Sequence, residues 1–161
     1  MALLTLTSDI GDQDYLAGAI KGQLLSVDPG FTIVDVSHQI APFNYPQAAY
    51  VCRNAIRNFP AFSFHLLLVN LFDRKSDQLL MAYHKDQYIL CADNGLLTMV
   101  LEDKPEMVIG LPLDPSATKN TLYCTSVMAE AIRKLQLGTS LQQIGIPDVQ
   151  IVEKHHLSPR I

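Results

Sequence analysis

Residues 5–22 read TLTSDIGDQDYLAGAIKG and join a β-favouring run directly to a helical one. The apolar run 2–7 predicts a short buried strand. Apolar residues then recur at helical spacing through 16–27, until Asp28-Pro29-Gly30 ends the pattern. A strand that passes through a short loop into a helix is the repeating unit of α/β folds, so this stretch sets the expected fold class.

The loop inside this stretch carries three carboxylates, Asp9, Asp12 and Asp14. We expect Asp12 to cap the following helix and Asp14 to interact favourably with its dipole, which leaves Asp9 without a structural reason. Carboxylates would repel a phosphate, but they accept hydrogen bonds from the two hydroxyls of a ribose and attract an ammonium or sulfonium. The loop therefore predicts a site for a hydroxyl-bearing or cationic small molecule.

Strand and helix patterns continue to alternate along the chain. Right-handed crossovers between successive strands predict a mostly parallel central sheet with helices on both faces. The predicted elements are a strand at 31–36, a helix from Pro46 to about Pro60, a strand at 64–69, a hairpin turning at 84–86, a turn at 93–95, a strand at 108–111 and a helix at 125–137 ended by Gly138. The segment after residue 145 shows no obvious partner.

Composition narrows the function classes. The chain has 161 residues, of which 48% are hydrophobic and only 17% charged, against a usual charged share of about 25%. We expect a partner or a further domain to cover part of its surface. The net charge of −4 argues against nucleic acid as a partner. No apolar run reaches the roughly 18 residues that cross a membrane.

The three cysteines Cys52, Cys91 and Cys124 are widely spaced and odd in number. That pattern favours reduced core thiols in a cytoplasmic protein, and no metal-ligand spacing joins them to a histidine. We therefore expect no metal site built on cysteine.

Ligands of parallel α/β sheets bind beyond the carboxyl ends of the strands. Polar residues follow each predicted strand there, and we expect them to converge: Ser8 and Asp9, Ser37 and His38, Asn70, and the turn at 93–95.

Individual side chains near this edge allow more than one interpretation. His38 suits a general base, but we favour a loop histidine hydrogen-bonded to the backbone. Phe43 either offers a flat face to a base or sulfonium or packs in the core. Asn70 carries a neutral amide that both donates and accepts hydrogen bonds. His65, inside a strand, is predicted to be a satisfied core or interface histidine.

The stretch 3–44, followed by AAYVCRNAIRNFP at 48–60 and ADNGLLT at 92–98, resembles the N-terminal domain of the S-adenosylmethionine hydroxide adenosyltransferases. These adenosine-forming hydrolases are related to fluorinases and chlorinases. The resemblance implies an α/β domain over 1–150 and a tail or linker over 151–161, leading to a C-terminal β domain absent from this chain. It also implies a homotrimer, with substrate between one subunit's N-terminal domain and its neighbour's C-terminal domain.

The resemblance further implies a role for each matching residue. Asp9 would bind the ribose 2′- and 3′-hydroxyls, with Asp14 as a second carboxylate near the ligand. The other implied substrate-binding residues are Phe43 lining the pocket with Asn44 beside it, Asn70, and Asp93 and Asn94 at the edge of the sheet. S-adenosylmethionine would be the substrate or ligand, with no cofactor and no metal.

The catalytic motifs depart from the family pattern. The family follows the third strand with Asp-Pro-Gly-Val-Gly-Thr-x-Arg, whereas this chain reads NLFDRKSD at 70–77. Asn70 replaces the aspartate, and Arg74 stands three residues early. The histidine of the family's Phe-His-Gly-Arg-Asp segment falls on Tyr123 or Cys124.

Three functions follow from these residues. The first is a slow S-adenosylmethionine hydrolase in which Asn70 orients the attacking water. The second is a non-catalytic binder of S-adenosylmethionine or adenosine. The third is a calcium-dependent nucleoside hydrolase, because a carboxylate cluster after a first strand also chelates calcium and a ribose diol.

Overall fold

The computed structural model describes residues 2–11, 15–71, 78–118 and 120–153. Within these residues the strands are β1 (Leu3–Ser8), β2 (Thr32–Ser37), β3 (Phe64–Leu68), β4 (Gln78–His84), β5 (Gln87–Ala92), β6 (Met107–Pro112) and β7 (Ile146–Pro147). The helices are α1 (Leu16–Val27), α2 (Tyr45–Ile56), α3 (Leu96–Leu101), α4 (Thr121–Gln136) and α5 (Leu141–Ile144).

All the strands form one sheet in the order β2-β1-β3-β5-β4-β6-β7. The α/β class is confirmed, but only the β2-β1-β3-β5 half is parallel, and β4 and β7 pair antiparallel to their neighbours. The predicted hairpin explains the change of direction. Its turn residues Lys85 and Asp86 have φ of 47° and 62°, the left-handed pair that closes a tight two-residue turn between antiparallel strands.

Helices cover both faces of the sheet, as predicted. One core cluster packs α1, α4 and α5 against side chains such as Leu6, Leu66 and Met81. The opposite cluster packs α2 and α3 against Leu67, Leu80 and other side chains from the alternate strand positions. The central strand β3 is buried along its whole length, as its continuous apolar sequence predicts. Among the described residues, no helix is both long and apolar enough to span a membrane.

Capping side chains set two helix starts. The Asn44 side chain accepts a hydrogen bond from Gln47 N at the start of α2, where Pro46 occupies the first turn as predicted. α4 begins at Thr121, earlier than its apolar pattern indicates, because Asn120 caps it. The expected cap of α1, Asp12, lies outside the described residues.

Three short elements were missed: α3 directly after the turn at 93–95, α5, and the two-residue β7. Segments this short carry too few residues to show a period. The prediction that the segment after residue 145 lacks a partner is wrong, because β7 pairs with β6 and Val149 and Ile151 pack against the core.

All three cysteines are free and buried, as predicted. Burial raises the pKa of the Cys52 thiol to about 12 and raises that of Cys91 as well. Both thiols are therefore protonated and unreactive at neutral pH.

His65 is a satisfied core histidine, as predicted. Its Nδ1 lies 2.7 Å from Thr5 Oγ1 and its Nε2 lies 2.9 Å from Gln87 Oε1. The Gln87 amide is fixed because its nitrogen donates to the carbonyls of Phe59 and Pro60. Nε2 therefore carries the hydrogen, and Nδ1 accepts from Thr5.

We expect acid to destabilise the protein through His65. Burial lowers the pKa of His65 below its usual 6.5, despite the opposing effect of the hydrogen bond that its Nε2 donates to Gln87. The unfolded chain then binds a proton that the folded protein does not, so stability is full above about pH 6.5 and falls as the pH drops below it. Melting temperatures of wild type and His65→Gln measured between about pH 7.5 and 5 should show a shallower loss in the variant. Equal pH dependence in both proteins would contradict this.

Candidate functional site

The Asp9 carboxylate lies at the carboxyl end of β1, which is hydrogen-bonded between β2 and β3. Its Oδ2 accepts from the backbone N–H of Asn70 at 2.9 Å, and its own N–H donates to Leu68 O at 3.4 Å. No described residue donates to Oδ1. One carboxylate oxygen therefore holds the ends of β1 and β3 together, and the other keeps its capacity to accept hydrogen bonds from a ligand.

Asn70 uses every hydrogen-bonding group except one. Besides its N–H, its carbonyl accepts from Asn94 and its side-chain Oδ1 accepts from Phe43 N at 3.0 Å. That last bond fixes which side-chain atom is oxygen. The remaining atom, Nδ2, is buried and donates to none of the described residues. An unpaired buried N–H costs about 1–3 kcal/mol, so it is an exception that calls for a functional reason.

The backbone of Asn70 is also unusual. Its φ is 47°, a left-handed value that asparagine tolerates better than most side chains. The residue thus has an uncommon backbone conformation and a donor without a partner in the described part of the chain, just beyond the carboxyl end of β3, where parallel α/β sheets bind ligands.

Asn94 braces this edge from the other side. Its amide nitrogen donates to the carbonyls of Val69 and Asn70, both at 3.1 Å, and its oxygen accepts from Leu96 N at 3.1 Å. The neighbouring Asp93 accepts from Val152 N at 2.8 Å, which fastens the chain beyond β7. Both side chains therefore organise the edge of the sheet, and their contact with a ligand stays a prediction.

Phe43 is not a core residue. The residue is 65% exposed, while its backbone N–H is bonded to Asn70 as described above. Its neighbour Asn44 caps α2, so its side-chain oxygen is engaged with the protein. Of these two, Phe43 offers the surface that a base or sulfonium would need.

The convergence predicted for the strand ends is confirmed for Asp9, Asn70 and the Asp93–Asn94 turn, and Phe43 joins them through Asn70. Hydrogen bonds join Asp9, Asn70, Phe43 and Asn94, and Asp93 is next in the chain to Asn94. Two further residues, Asp14 and Arg74, lie outside the described residues.

The two residues that match the family histidine have structural contacts. The Tyr123 hydroxyl accepts from Asp114 N at 2.8 Å, and Cys124 is packed in the core. Neither supplies a described contact to Asp9 or Asn70.

A series of hydrogen-bonded polar side chains beside Asp9 was missed, buried at Ser8 and His38 and more than a third exposed at Asp35 and Lys21. Ser8 Oγ lies 2.5 Å from His38 Nδ1, and His38 Nε2 lies 2.7 Å from Asp35 Oδ1. Lys21 on α1 pairs with the other oxygen of Asp35. Sequence reasoning assigned His38 a backbone partner, but its ring bonds to side chains. The three-residue spacing from Asp35 to His38 was the available signal.

In this series of hydrogen-bonded side chains, the charge of Asp35 is well defined. Burial raises the pKa of its carboxyl, but hydrogen bonds from Lys21 and His38 outweigh that effect and bring the pKa below its usual 3.8. Asp35 is therefore ionised at neutral pH and accepts hydrogen bonds from both neighbours.

Among the described residues, no group of three or more His, Cys, Asp or Glu side chains forms a metal site. Asp12 and Asp14 of the acidic loop lie outside the described residues, so this finding does not extend to them.

A cavity of about 490 Å³ lies elsewhere, between the C-terminal ends of α2 and α3 and the β4–β5 turn. None of the predicted site residues lines it. Its Arg53 is already bonded to Glu102 and to the carbonyls of Met99 and Val100. We place the site at Asp9 because three groups meet there: a carboxylate oxygen and an amide nitrogen that have no partner among the described residues, and an exposed aromatic.

We expect Asn94→Ala to lower the free energy of unfolding by about 2 kcal/mol or more, because it leaves the carbonyls of Val69 and Asn70 and the N–H of Leu96 without partners. Urea unfolding measures this. Asn54→Ala is the matched control, since exposed Asn54 on α2 donates only to Tyr50 O, and it should change stability by less than about 0.5 kcal/mol. Similar losses of stability in the two variants would contradict this structural role of Asn94.

A comparison with protein families matches residues 4–145 to the SAM hydroxide adenosyltransferase N-terminal domain. The chain is also 36% identical over 107 residues to the (R)-S-adenosyl-L-methionine hydrolase of Methanocaldococcus jannaschii, covering 62% of this chain and 40% of the relative. It is 36% identical over 179 aligned positions to a fluorinase of an Actinoplanes species, covering 93% of this chain and 60% of the relative. The chain thus spans less than two thirds of either relative.

The fold has solved counterparts. The crystal structure of an uncharacterized conserved protein from Thermotoga maritima superposes with a TM-score of 0.79 at 24% identity, over 99% of this chain and 63% of that one. A conserved hypothetical protein from Thermus thermophilus superposes with a TM-score of 0.75 at 24% identity, over 96% of this chain and 62% of that one. These similarities support the α/β architecture described above.

Proposed function

This chain belongs to the SAM hydroxide adenosyltransferase family, and from that premise we propose that it binds S-adenosylmethionine and hydrolyses it to adenosine and methionine. The observation that carries the proposal is the Asp9 carboxylate, held through Oδ2 by Asn70 N–H with Oδ1 unengaged among the described residues. A carboxylate oxygen in that position accepts hydrogen bonds from ribose hydroxyls. Its charge also favours a cationic sulfonium ligand.

The reaction requires few catalytic groups from the protein. A water oxygen attacks ribose C5′, the C5′–O bond forms, and the C5′–S bond breaks with its electron pair passing to sulfur. The sulfonium leaves as neutral methionine, so no acid has to protonate it. The water's proton passes to solvent. No cofactor is required, and positioning the water in line with C5′ is the main contribution left to the enzyme.

Asn70 suits this positioning role but cannot act as a base. Its Oδ1 is held by Phe43 N–H, so the group left for a ligand is the Nδ2 donor. A donor can hold a water through the water's oxygen, but it does not remove a proton. General-base help is typically worth about 10²–10⁴-fold, so we propose a slow hydrolase.

The Asn70→Asp variant should raise the rate of adenosine formation by about 10²-fold. One oxygen of the new carboxylate would still accept from Phe43 N–H, and the other would accept the proton of the attacking water. Adenosine and methionine are measured by chromatography in the longest natural form of the protein. An unchanged or lower rate in a folded, ligand-binding variant would show that Asn70 does not face the water.

Asp9→Ala should weaken adenosine binding by about 10-fold or more, because the ribose loses a charged acceptor. Asp9→Asn retains an oxygen for Asn70 N–H, so it separates loss of charge from loss of the bond between β1 and β3. Asp103→Ala, on the exposed loop after α3, is the control and should leave binding unchanged. Calorimetry that finds full affinity in Asp9→Ala would overturn the proposed site.

Asn70 Nδ2, which donates to none of the described residues, also suits a second function, a binder of S-adenosylmethionine or adenosine that does not turn it over. The same chromatographic assay separates the two. Ligand binding without adenosine above the uncatalysed background would establish the binder, and calcium-dependent release of free base from inosine would establish a nucleoside hydrolase.

We further propose a cytoplasmic homotrimer in which a C-terminal β domain beyond this chain completes the pocket. Phe43 at the site is 65% exposed, and Tyr15 and Tyr50 are 77% and 66% exposed; large exposed side chains of this kind support a partner surface. Light scattering on the longest natural form tests the assembly.

A further inference from the structure

We propose that His38 is a positioning residue that fixes the turn bearing Asp9 through Ser8, and so sets the affinity of the site for its nucleoside. This inference rests on the function proposed above. It is carried by the chain of hydrogen bonds Ser8–His38–Asp35, in which Ser8 is fully buried and His38 is 7% exposed.

The three residue types match those of a serine hydrolase triad, but the geometry does not. In such triads the serine bonds to Nε2 and the aspartate to Nδ1, and the serine hydroxyl faces the substrate. Here Ser8 bonds to Nδ1 and Asp35 to Nε2. With no exposed surface, Ser8 also cannot reach a substrate. The chain therefore supports the site and does not attack a substrate.

The direction of each hydrogen bond follows from Asp35. Its ionised carboxylate only accepts, so Nε2 of His38 carries a hydrogen, and the tautomer with its single hydrogen on Nε2 accepts at Nδ1. The Ser8 hydroxyl must then donate to Nδ1. Its oxygen faces the backbone N–H of Ile10 at 3.4 Å, the residue directly after Asp9.

Backbone hydrogen bonds connect the same two loops. Gly11 N donates to His38 O at 2.7 Å, and Ile40 N donates to Ser8 O at 3.2 Å. Asp9 therefore lies between two positions, Ser8 and the Ile10–Gly11 pair, that are both held by the His38 loop. The ring of His38 adds the side-chain bond that anchors Ser8.

At Asp35, the series of hydrogen bonds from Ser8 through His38 continues to α1 through the ion pair of Asp35 with Lys21. Both of these side chains are more than a third exposed, so solvent screens the pair and it contributes little. We therefore assign the positioning effect to the buried bond between His38 and Ser8.

Two conservative variants distinguish the two hydrogen bonds of the His38 ring, the one between Nδ1 and Ser8 and the one between Nε2 and Asp35. An asparagine side chain reaches about as far as Nδ1, so His38→Asn keeps an acceptor for Ser8 and loses Asp35. A glutamine reaches about as far as Nε2, so His38→Gln keeps a donor for Asp35 and loses the bond to Ser8. We expect His38→Gln to weaken adenosine binding by about 5- to 10-fold and His38→Asn by less than about 3-fold.

Amide hydrogen exchange at Ile10 and Gly11, measured by NMR without ligand, gives a readout that does not depend on the proposed function. Exchange at these two amides should be faster in His38→Gln than in His38→Asn. His65→Gln, which removes another buried histidine bonded to β1, is the control. It should lower stability without changing adenosine affinity. Added to each His38 variant, it should also leave the difference between His38→Gln and His38→Asn unchanged.

The outcomes are distinct. If wild type binds no adenosine, the proposed function fails while the exchange data still test the positioning. If wild type binds and both His38 variants match it in affinity and in exchange, the inference is overturned. Equal losses of affinity in His38→Gln, His38→Asn and His65→Gln would show a general loss of stability and would also overturn it.

Discussion

The candidate site depends on one hydrogen bond, from the backbone N–H of Asn70 to the carboxylate of Asp9. It joins the carboxyl ends of β1 and β3, which lie side by side at the centre of the parallel half of the sheet. A charge-assisted bond of this kind is roughly twice as strong as a neutral one. Because it engages only one carboxylate oxygen, it leaves the other without a described donor at the carboxyl ends of the parallel strands, where ligands of such sheets bind.

Successive layers of hydrogen bonds support that contact. Phe43 and Asn94 hold Asn70 from two sides, and the Ser8–His38–Asp35 chain holds the turn on the far side of Asp9. Side chains held in this way have little freedom to adjust to a ligand. Preorganisation of this kind gives a small polar site its affinity, since fewer groups must be ordered on binding.

Asn70 is where local stability and function conflict. A left-handed backbone and a buried N–H without a described partner both disfavour the folded state. Such features persist in functional sites, where a ligand or a water supplies the missing acceptor. The family resemblance implies an aspartate at this position, and Asn70 presents an amide donor instead. In the function proposed above, this difference affects the activation of a water more than the binding of a ligand.

The sequence by itself determined the α/β class, helices on both faces, the buried thiols, the hairpin at residues 84–86 and the convergence of Asp9, Asn70 and Asn94, because periodicity and strand ends are local properties of the chain. Only the tertiary structure decided the mixed strand order, the pairing of β7 with β6, and the partners of His38. Those depend on which distant segments become neighbours. Ser8 and His38 are thirty positions apart, and no local pattern specifies that a serine at one strand end will meet a histidine after the next.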